Sequence, residues 1–254
     1  MIRDKRANQP ENTDVTIGRN PVMELIKTGR DIEKIYVQRG EREGSITKIV
    51  ALARNKGIVV EETDKKRLDA LSSGIPHQGI AALACPVEYC TVDDILNEAK
   101  ARNEKPLIVV CDEIEDPHNL GAIIRSADGA GAHGVIIGKR RNAPITQTVI
   151  KSSAGATSYI KIAKVVNIAS VLDELKEKGL WVFAADMGGT DYGKVNFNCG
   201  CVLVVGNEGA GISRLVRDKC DELVSIPMRG GVESLNVSVA TGILLYDMSN
   251  KQRQ

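Results

Sequence analysis

The residues of this 254-residue chain that could do chemistry are gathered in three glycine-bearing loops. The first, DEIEDPHNLGAIIRSADGAG (112–131), holds Asn119, Gly121 and Arg125. Arg125 lies one helical turn beyond Gly121 and flanks the apolar stripe of Ile123, Ile124 and Ala127, which directs it towards the mouth of the sheet. A guanidinium in such a place can fork onto a phosphate or another oxyanion. The second loop, VGNEGAGI (205–212), directly follows an apolar run, and its glycines at 206, 209 and 211 leave main-chain groups open to a ligand. Glu208 stands where that run ends. A carboxylate at an apolar mouth costs free energy unless paired, and Arg125 is its natural partner. The third loop, IPMRGGVESLNVSVATGILLY (226–246), turns at Gly230-Gly231 and starts a last helix at Ser234 or Asn236. Each loop also has a plain structural reading: Asn119 caps its helix, Arg125 pairs with Asp128 on the surface, the glycines turn the chain, and Ser234 and Asn236 are N-caps.

Other chemistries fail on spacing. Gly129, Gly131 and Gly134 spell the dinucleotide fingerprint G-x-G-x-x-G, but they end a helix and enter a strand. No helix N-terminus is then offered to a pyrophosphate, and the glycines serve the cap and the turn. A phosphate-cradling G-x-x-x-x-G-K-[ST] is absent. The six cysteines (Cys85, Cys90, Cys111, Cys199, Cys201, Cys220) form no C-x-x-C pair, and several lie within or beside apolar runs. That pattern fits reduced thiols in a cytosol rather than a disulfide framework or a zinc site. His77, His118 and His133 form no H-E-x-x-H, so no metal is expected.

The elements that must position these loops come as apolar runs alternating with helical patterns. LIVVC (107–111), GVIIG (134–138), YIKIAKV (159–165), WVFAA (181–185), CVLVV (201–205) and ELVSIP (222–227) read as strands. Helices are expected over 120–130, 146–152, 168–178, 213–219 and 235–249. Buried strands separated by helices predict a mostly parallel sheet covered on both faces, with ligands beyond the carboxyl ends of its strands. Upstream, Asn20-Pro21 opens a helix, strands follow at 35–37, 58–60 and 79–85, and helices carry Ile46, Ile49, Val50 and Ala53 or begin at Asp64. Thr91 with Asp94 forms a capping box. The expected organisation is a loose tail over 1–14, a small α/β domain over 15–85, a linker over 86–105 and a larger α/β domain over 106–254.

Hydrophobic residues at 43% and charged residues at 26% permit a sizeable core. No apolar run approaches the roughly 18 to 20 residues of a membrane span, and MIRDKRANQPENTD is too polar for a secretory signal. Residues 1–85 carry 15 Lys+Arg against 12 Asp+Glu, and residues 86–254 carry 19 against 21, a weak basic bias in the first part.

Taken together, D-x-x-x-D-P-x-N-x-G-x-x-x-R, V-G-N-E-G-x-G and I-P-M-x-G-x-x-E-S-L-N-V-S-V-A resemble the three motifs of the SpoU family of the SPOUT superfamily. The likeness covers 106–248. GRNPVMELI (18–26) and IPHQGIAA (75–82) resemble that family's substrate-binding domain, which is similar to ribosomal protein L30e. The whole looks like the large-subunit ribosomal RNA guanosine 2′-O-methyltransferases.

The resemblance implies an S-adenosylmethionine-dependent methylation of a ribose 2′-hydroxyl, a C-terminal segment threaded into a trefoil knot, a homodimer and a cytoplasmic enzyme without membrane contact. By motif position, the methyl donor falls to Gly206, Asn207, Gly211, Ile226, Met228 and Leu235. Catalysis falls to Arg125, with Glu208 orienting it and Asn119, Ser234 and Asn236 completing the pocket. The face of Val237, Ala240, Leu244 and Met248 suits a dimer interface. RNA contacts are expected at Lys139, Arg140 and Arg141, which also read as a solvated basic turn, and at Arg19, Asn20 and Gln78. Aromatic residues at 3% disfavour base stacking, so recognition by shape and phosphate is expected. Rival readings are a transfer-RNA ribose methylase, a resistance methylase acting on ribosomal RNA, and a non-catalytic assembly factor, which the intact motif residues oppose. An NAD-dependent oxidoreductase fails on the misplaced fingerprint.

Overall fold

The structure, a computed structural model, describes residues 15–28, 31–40, 44–72 and 74–253; the expected tail over 1–14 lies outside them. Two compact units emerge, one reaching to Glu88 and including Pro144–Gln147, the other holding Tyr89–Ala143 and Thr148 onward.

The smaller unit runs β1 (Val15–Ile17), α1 (Arg19–Thr28), β2 (Ile32–Gln38), α2 (Ser45–Asn55), β3 (Val60–Thr63), α3 (Lys65–Ser72) and β4 (Ile80–Ala84). Its sheet has the order β1-β4-β2-β3, with β2 and β3 parallel and β4 antiparallel to both neighbours. Alternation along β2 sends Ile35 and Val37 to one face, under Val22 and Ile26 of α1 and Ile46, Ile49, Val50 and Ala53 of α2. Tyr36 faces the other way, against Leu68 of α3. Helix α1 begins at Arg19, slightly ahead of the expected Asn20 cap. The three-residue edge strand β1 was not anticipated.

The larger unit continues with α4 (Val92–Ala101), β5 (Leu107–Cys111), α5 (Pro117–Gly129), β6 (Gly134–Gly138), α6 (Gln147–Ser152), β7 (Lys161–Val165), α7 (Ile168–Glu177), β8 (Trp181–Asp191), β9 (Cys201–Val205), α8 (Arg214–Arg217), β10 (Glu222–Ser225) and α9 (Val237–Gln252). Its six strands lie in the order β10-β8-β9-β5-β6-β7, and every pair is parallel. Strands β5, β6 and β9 are buried along their whole length, which is why they read as unbroken apolar runs. The glycines of the false fingerprint do the work expected of them. Gly131 takes a φ of +79° after α5, and a Cβ on Gly134 would collide with Ile95.

Three expectations need correction. The segment 86–105 is not a free linker: Thr91 and Asp94 form their capping box at the head of α4, and Ile95 is fully buried in the core of the larger unit. The strand expected to stop at 185 runs to Asp191, because β8 leaves its ladder and rejoins it. Leu223 of β10 pairs with Ala184 and Val224 with Thr190, so 185–189 bulge outward. Gly189 lets the backbones touch there, since a Cβ would stand 2.4 Å from the carbonyl carbon of Leu223. Last, the expected interface face of α9 is partly taken up within the chain, with Val237 and Ala240 half-buried. Leu244 and Met248 are buried within this chain and α9 packs on α5; the exposed apolar residues of α9 are Val239 and Tyr246.

Gly121 sits where α5 meets the end of α6. A Cβ there would lie 2.0 Å from Ser152 Oγ and 2.8 Å from the Val149 carbonyl. Gly121→Ala is therefore expected to destabilise the protein by about 1–3 kcal/mol, read as a lower denaturant midpoint at unchanged slope. An unchanged midpoint would show that the two helices are not in this contact.

Among the described residues no helix is long and apolar enough to cross a membrane.

Candidate active site

Because the strands are parallel, the carboxyl ends of β5, β9 and β10 open at one edge of the sheet, and the three loops leave from there. Strands β5 and β9 are neighbours, and their loops are tied at the root. Asp112 donates its backbone N–H to the Val205 carbonyl (2.8 Å), and its buried carboxylate accepts from the Ser213 N–H (2.7 Å). The second loop closes on itself: Asn207 and Gly211 exchange backbone hydrogen bonds of 2.9 and 2.8 Å. The Asn207 side chain accepts from the N–H groups of Gly209 (2.9 Å) and Ala210 (3.2 Å) and donates to the Glu113 carbonyl (3.1 Å). Its polar atoms thus hold the loop in shape. Gly206 is required by space, since a Cβ would stand 2.3 Å from the Gly211 carbonyl carbon.

A side-chain triangle joins the three loops. Asn119 Nδ2 donates to Glu208 Oε1, and Asn236 Nδ2 donates to the same oxygen (2.7 Å) and to Asn119 Oδ1 (3.1 Å). Asn236 Oδ1 meanwhile accepts from the Ser238 N–H (2.9 Å) and caps α9. The plain alternative of Asn119 as a cap does not hold, and neither does the expected Glu208–Arg125 pair. Asp116 caps α5, accepting from the His118 N–H with Pro117 at the first helical position, and this leaves the Asn119 amide free to cross to Glu208. Two amides meet one oxygen of the Glu208 carboxylate, and no described guanidinium pairs with it.

Arg125 is exposed, and its side chain makes no hydrogen bond or ion pair with a described residue, Asp128 included. Ser234 is exposed in the third loop and likewise uncommitted. In the basic turn, Lys139 is half-buried and Arg140 exposed, while Arg141 pairs with Glu113 at 2.6 Å. Since Glu113 also receives Asn207, Arg141 braces the first two loops as well as facing solvent. In the smaller unit, Arg19 donates to both the side chain and the carbonyl of Gln78 (each 3.1 Å), so these two expected RNA contacts are bound to each other. Asn20 is exposed.

Between the second loop, the third loop and the β8 bulge lies a cavity of about 580 Å³. The expected donor contacts Gly206, Asn207, Gly211, Ile226, Met228 and Leu235 all line it, as do Glu208, Ser234 and Asn236; Asn119 and Arg125 do not. This cavity size suits a nucleoside-sized ligand. Its wall offers apolar patches at Val205, Leu235 and Leu244 and glycine backbone at 206, 209 and 211, a donor set that fits S-adenosylmethionine. Sequence reasoning missed Asp186 and Met187, which the β8 bulge brings to the wall, and Glu233. The strings DMGG and ESLN were the only available signals.

No cysteine lines the cavity. Burial pushes the Cys111 thiol at the end of β5 up to about 12, and does the same to Cys220. Burial lowers the pKa of His133, whose Nδ1 accepts from the Leu107 N–H at 3.0 Å. No group of three metal-ligating side chains occurs among the described residues.

Comparison with known proteins gives a consistent result. Residues 106–246 match the SpoU rRNA Methylase family, and residues 16–90 match the RNA 2′-O ribose methyltransferase substrate binding family. A relative from Bacillus subtilis (strain 168), named a TrmH family tRNA/rRNA methyltransferase, YacO, is 42% identical over 94% of this chain and 96% of its own. A solved structure of an AdoMet-bound rRNA methyltransferase from Sinorhizobium meliloti shares 25% identity with a TM-score of 0.57, covering 93% of this chain and 86% of that one. A TrmH/SpoU tRNA modifying enzyme from A. aeolicus shares 31% identity with a TM-score of 0.54, over 63% of this chain and 84% of its own.

Proposed function

From the premise that this chain belongs to the SpoU methylase family, and so is an S-adenosylmethionine-dependent RNA 2′-O-ribose methyltransferase, we propose that its target is a guanosine of large-subunit ribosomal RNA. The observation that carries the site assignment is the Asn119–Glu208–Asn236 triangle at the rim of the cavity, with Arg125 left uncommitted on the helix that supplies Asn119.

Bound in the cavity, S-adenosylmethionine supplies a methyl group activated by a sulfonium. The protein must bring a ribose oxygen in line with it, exclude water and manage a weakly acidic hydroxyl proton. The main-chain groups around Gly206, Gly211, Ile226 and Met228 hold the donor, and Asn207 keeps their loop rigid. Arg125 grips the phosphate beside the target ribose, or stabilises negative charge as it develops on the 2′-oxygen. A free guanidinium has a pKa above about 12, which makes it a poor base. Glu208 pins Asn119 and Asn236, and so fixes the helix of Arg125 against the head of α9. The Ser234 hydroxyl is free to bond the incoming ribose.

The ribosomal preference is supported by the substrate-binding match over 16–90 and by coverage. The ribosomal RNA enzyme aligns over 93% of this chain, the transfer-RNA enzyme over 63%. A transfer-RNA target is the second reading, since the name of the Bacillus relative covers both RNAs. Lys139 and Arg140 are proposed to contact phosphates, as is the Arg19–Asn20–Gln78 corner of the smaller unit. The same reading includes a trefoil knot, supported by a sheet in which β10 joins β8 after β9 has been laid beside it. It also includes a homodimer through the exposed side of α9, around Val239 and Tyr246. A cytoplasmic setting is supported by six cysteines, none of which forms a disulfide.

The test is ribose-methylation mapping by reverse transcription at low nucleotide concentration, in cells with and without the protein. The expected result is loss of one stop at a large-subunit guanosine. An unchanged ribosomal pattern with a stop lost from a transfer RNA would move the target to the second reading.

A further inference from the structure

Every ionisable side chain among the described residues on the cavity wall is acidic. Asp186, Glu208 and Glu233 line it, and no lysine, arginine or histidine does. Glu208 is held by the two asparagines. Asp186, on the β8 bulge, accepts from the Gly188 N–H at 2.9 Å and forms a 3.2 Å ion pair with Arg217, which is exposed and off the wall and so offsets its charge only in part. Glu233 sits on the exposed loop before α9 and makes no ion pair with a described residue.

The methyl donor and its by-product differ by one charge. Transfer breaks the bond from the sulfonium sulfur to the methyl carbon and forms one from that carbon to the ribose 2′-oxygen. The electron pair of the broken bond stays on sulfur, and the hydroxyl proton leaves to solvent. The ammonium and carboxylate of the donor are untouched, so a molecule with one net positive charge becomes neutral. Fixed negative charge around it attracts the first form more than the second.

Resting on the reading of this cavity as the donor site, we propose that Asp186 and Glu233 make the pocket select the cationic donor over its neutral by-product, so that transfer itself loosens the spent molecule. The same field also steadies the sulfonium before transfer, which opposes the chemical step. Partial exposure keeps both effects modest: about two- to five-fold in relative affinity for each carboxylate and about tenfold for the two.

The test is calorimetric titration of the full chain with S-adenosylmethionine, S-adenosylhomocysteine and sinefungin, which carries an amine where the sulfonium stands. Wild type is compared with Asp186→Asn, Glu233→Gln and the double variant. The ratio of by-product to donor Kd is expected to fall about tenfold in the double variant, with the by-product Kd itself nearly unmoved. Sinefungin should follow the donor, and the wild-type ratio should shrink between 0.1 M and 1 M salt as the screening length drops from about 10 Å to about 3 Å. Parallel weakening of all three ligands, or an unmoved ratio in every variant, overturns the proposal. Wild-type protein that binds none of the three removes the donor-site reading itself, and this proposal with it.

Discussion

Arg125→Ala is expected to slow methyl transfer by about 100- to 1,000-fold, the loss typical when one group that meets developing charge is removed. The expectation rests on an asymmetry within one helix. Asn119, at the start of α5, is held by Glu208 and Asn236, whereas Arg125, further along, is exposed and bonds to no described residue. A long cation with no structural duty can be deleted at little cost to the fold, and stability should change by no more than about 0.5 kcal/mol. The assay is single-turnover methylation with saturating donor, alongside a thermal melt and a donor titration, both of which should match wild type. Arg125→Lys should recover only part of the rate, because an ammonium keeps the charge and loses the forked donors. Turnover of Arg125→Ala within threefold of wild type would remove this residue from the chemistry.

Gly206→Ala is expected to weaken donor binding by at least about 100-fold. Here the obstacle is backbone. The added carbon would stand 2.3 Å from the Gly211 carbonyl carbon, 2.4 Å from its oxygen and 2.4 Å from the Ile212 nitrogen. None of these can swing aside as a side-chain tip could, so the Asn207–Gly211 bridge must open and the main-chain groups offered to the donor must move. Gly209→Ala is the matched control. Its Cβ would lie 3.6 Å from Asn207 Oδ1, an ordinary contact, and binding should stay within a few fold of wild type. Calorimetric titration of both variants distinguishes a shaped cradle from a tolerant glycine-rich loop; equal binding by the two would sink the cradle.

Much of the larger unit was legible because its strands are buried on both faces and so appear as short unbroken apolar runs bounded by glycine and charge. The loops were legible for a related reason: glycines after such runs have few other uses. Partnerships across the site were not. Opposite charge suggested Glu208 with Arg125, but charge carries no direction, and two amides brought in by α5 and the head of α9 reached the carboxylate first. The plain alternative of Asn119 as a cap fails because a better cap, Asp116, stands just ahead of a proline at the first helical position. The β8 bulge was hidden for a different reason. The excursion over 185–189 begins at the last residue of the apolar run, so the pattern of 181–185 is the same whether the strand stops or detours. For α9, apolar spacing could report that a face is covered, but not by what; Leu244 and Met248 are covered by their own chain.

The Asn119–Asn236 bond joins residues 117 positions apart, and the cavity wall draws on β8, on β9 and on α9. A growing chain, extended at about 5–20 residues per second, therefore exposes its sheet strands well before it owns the cavity proposed to take the donor. Competence to methylate arrives only once α9 has cleared the ribosome, and contacts of such long reach form slowly. A donor molecule waiting in solution would then act as the latch on the newborn fold, drawing it towards completion by mass action.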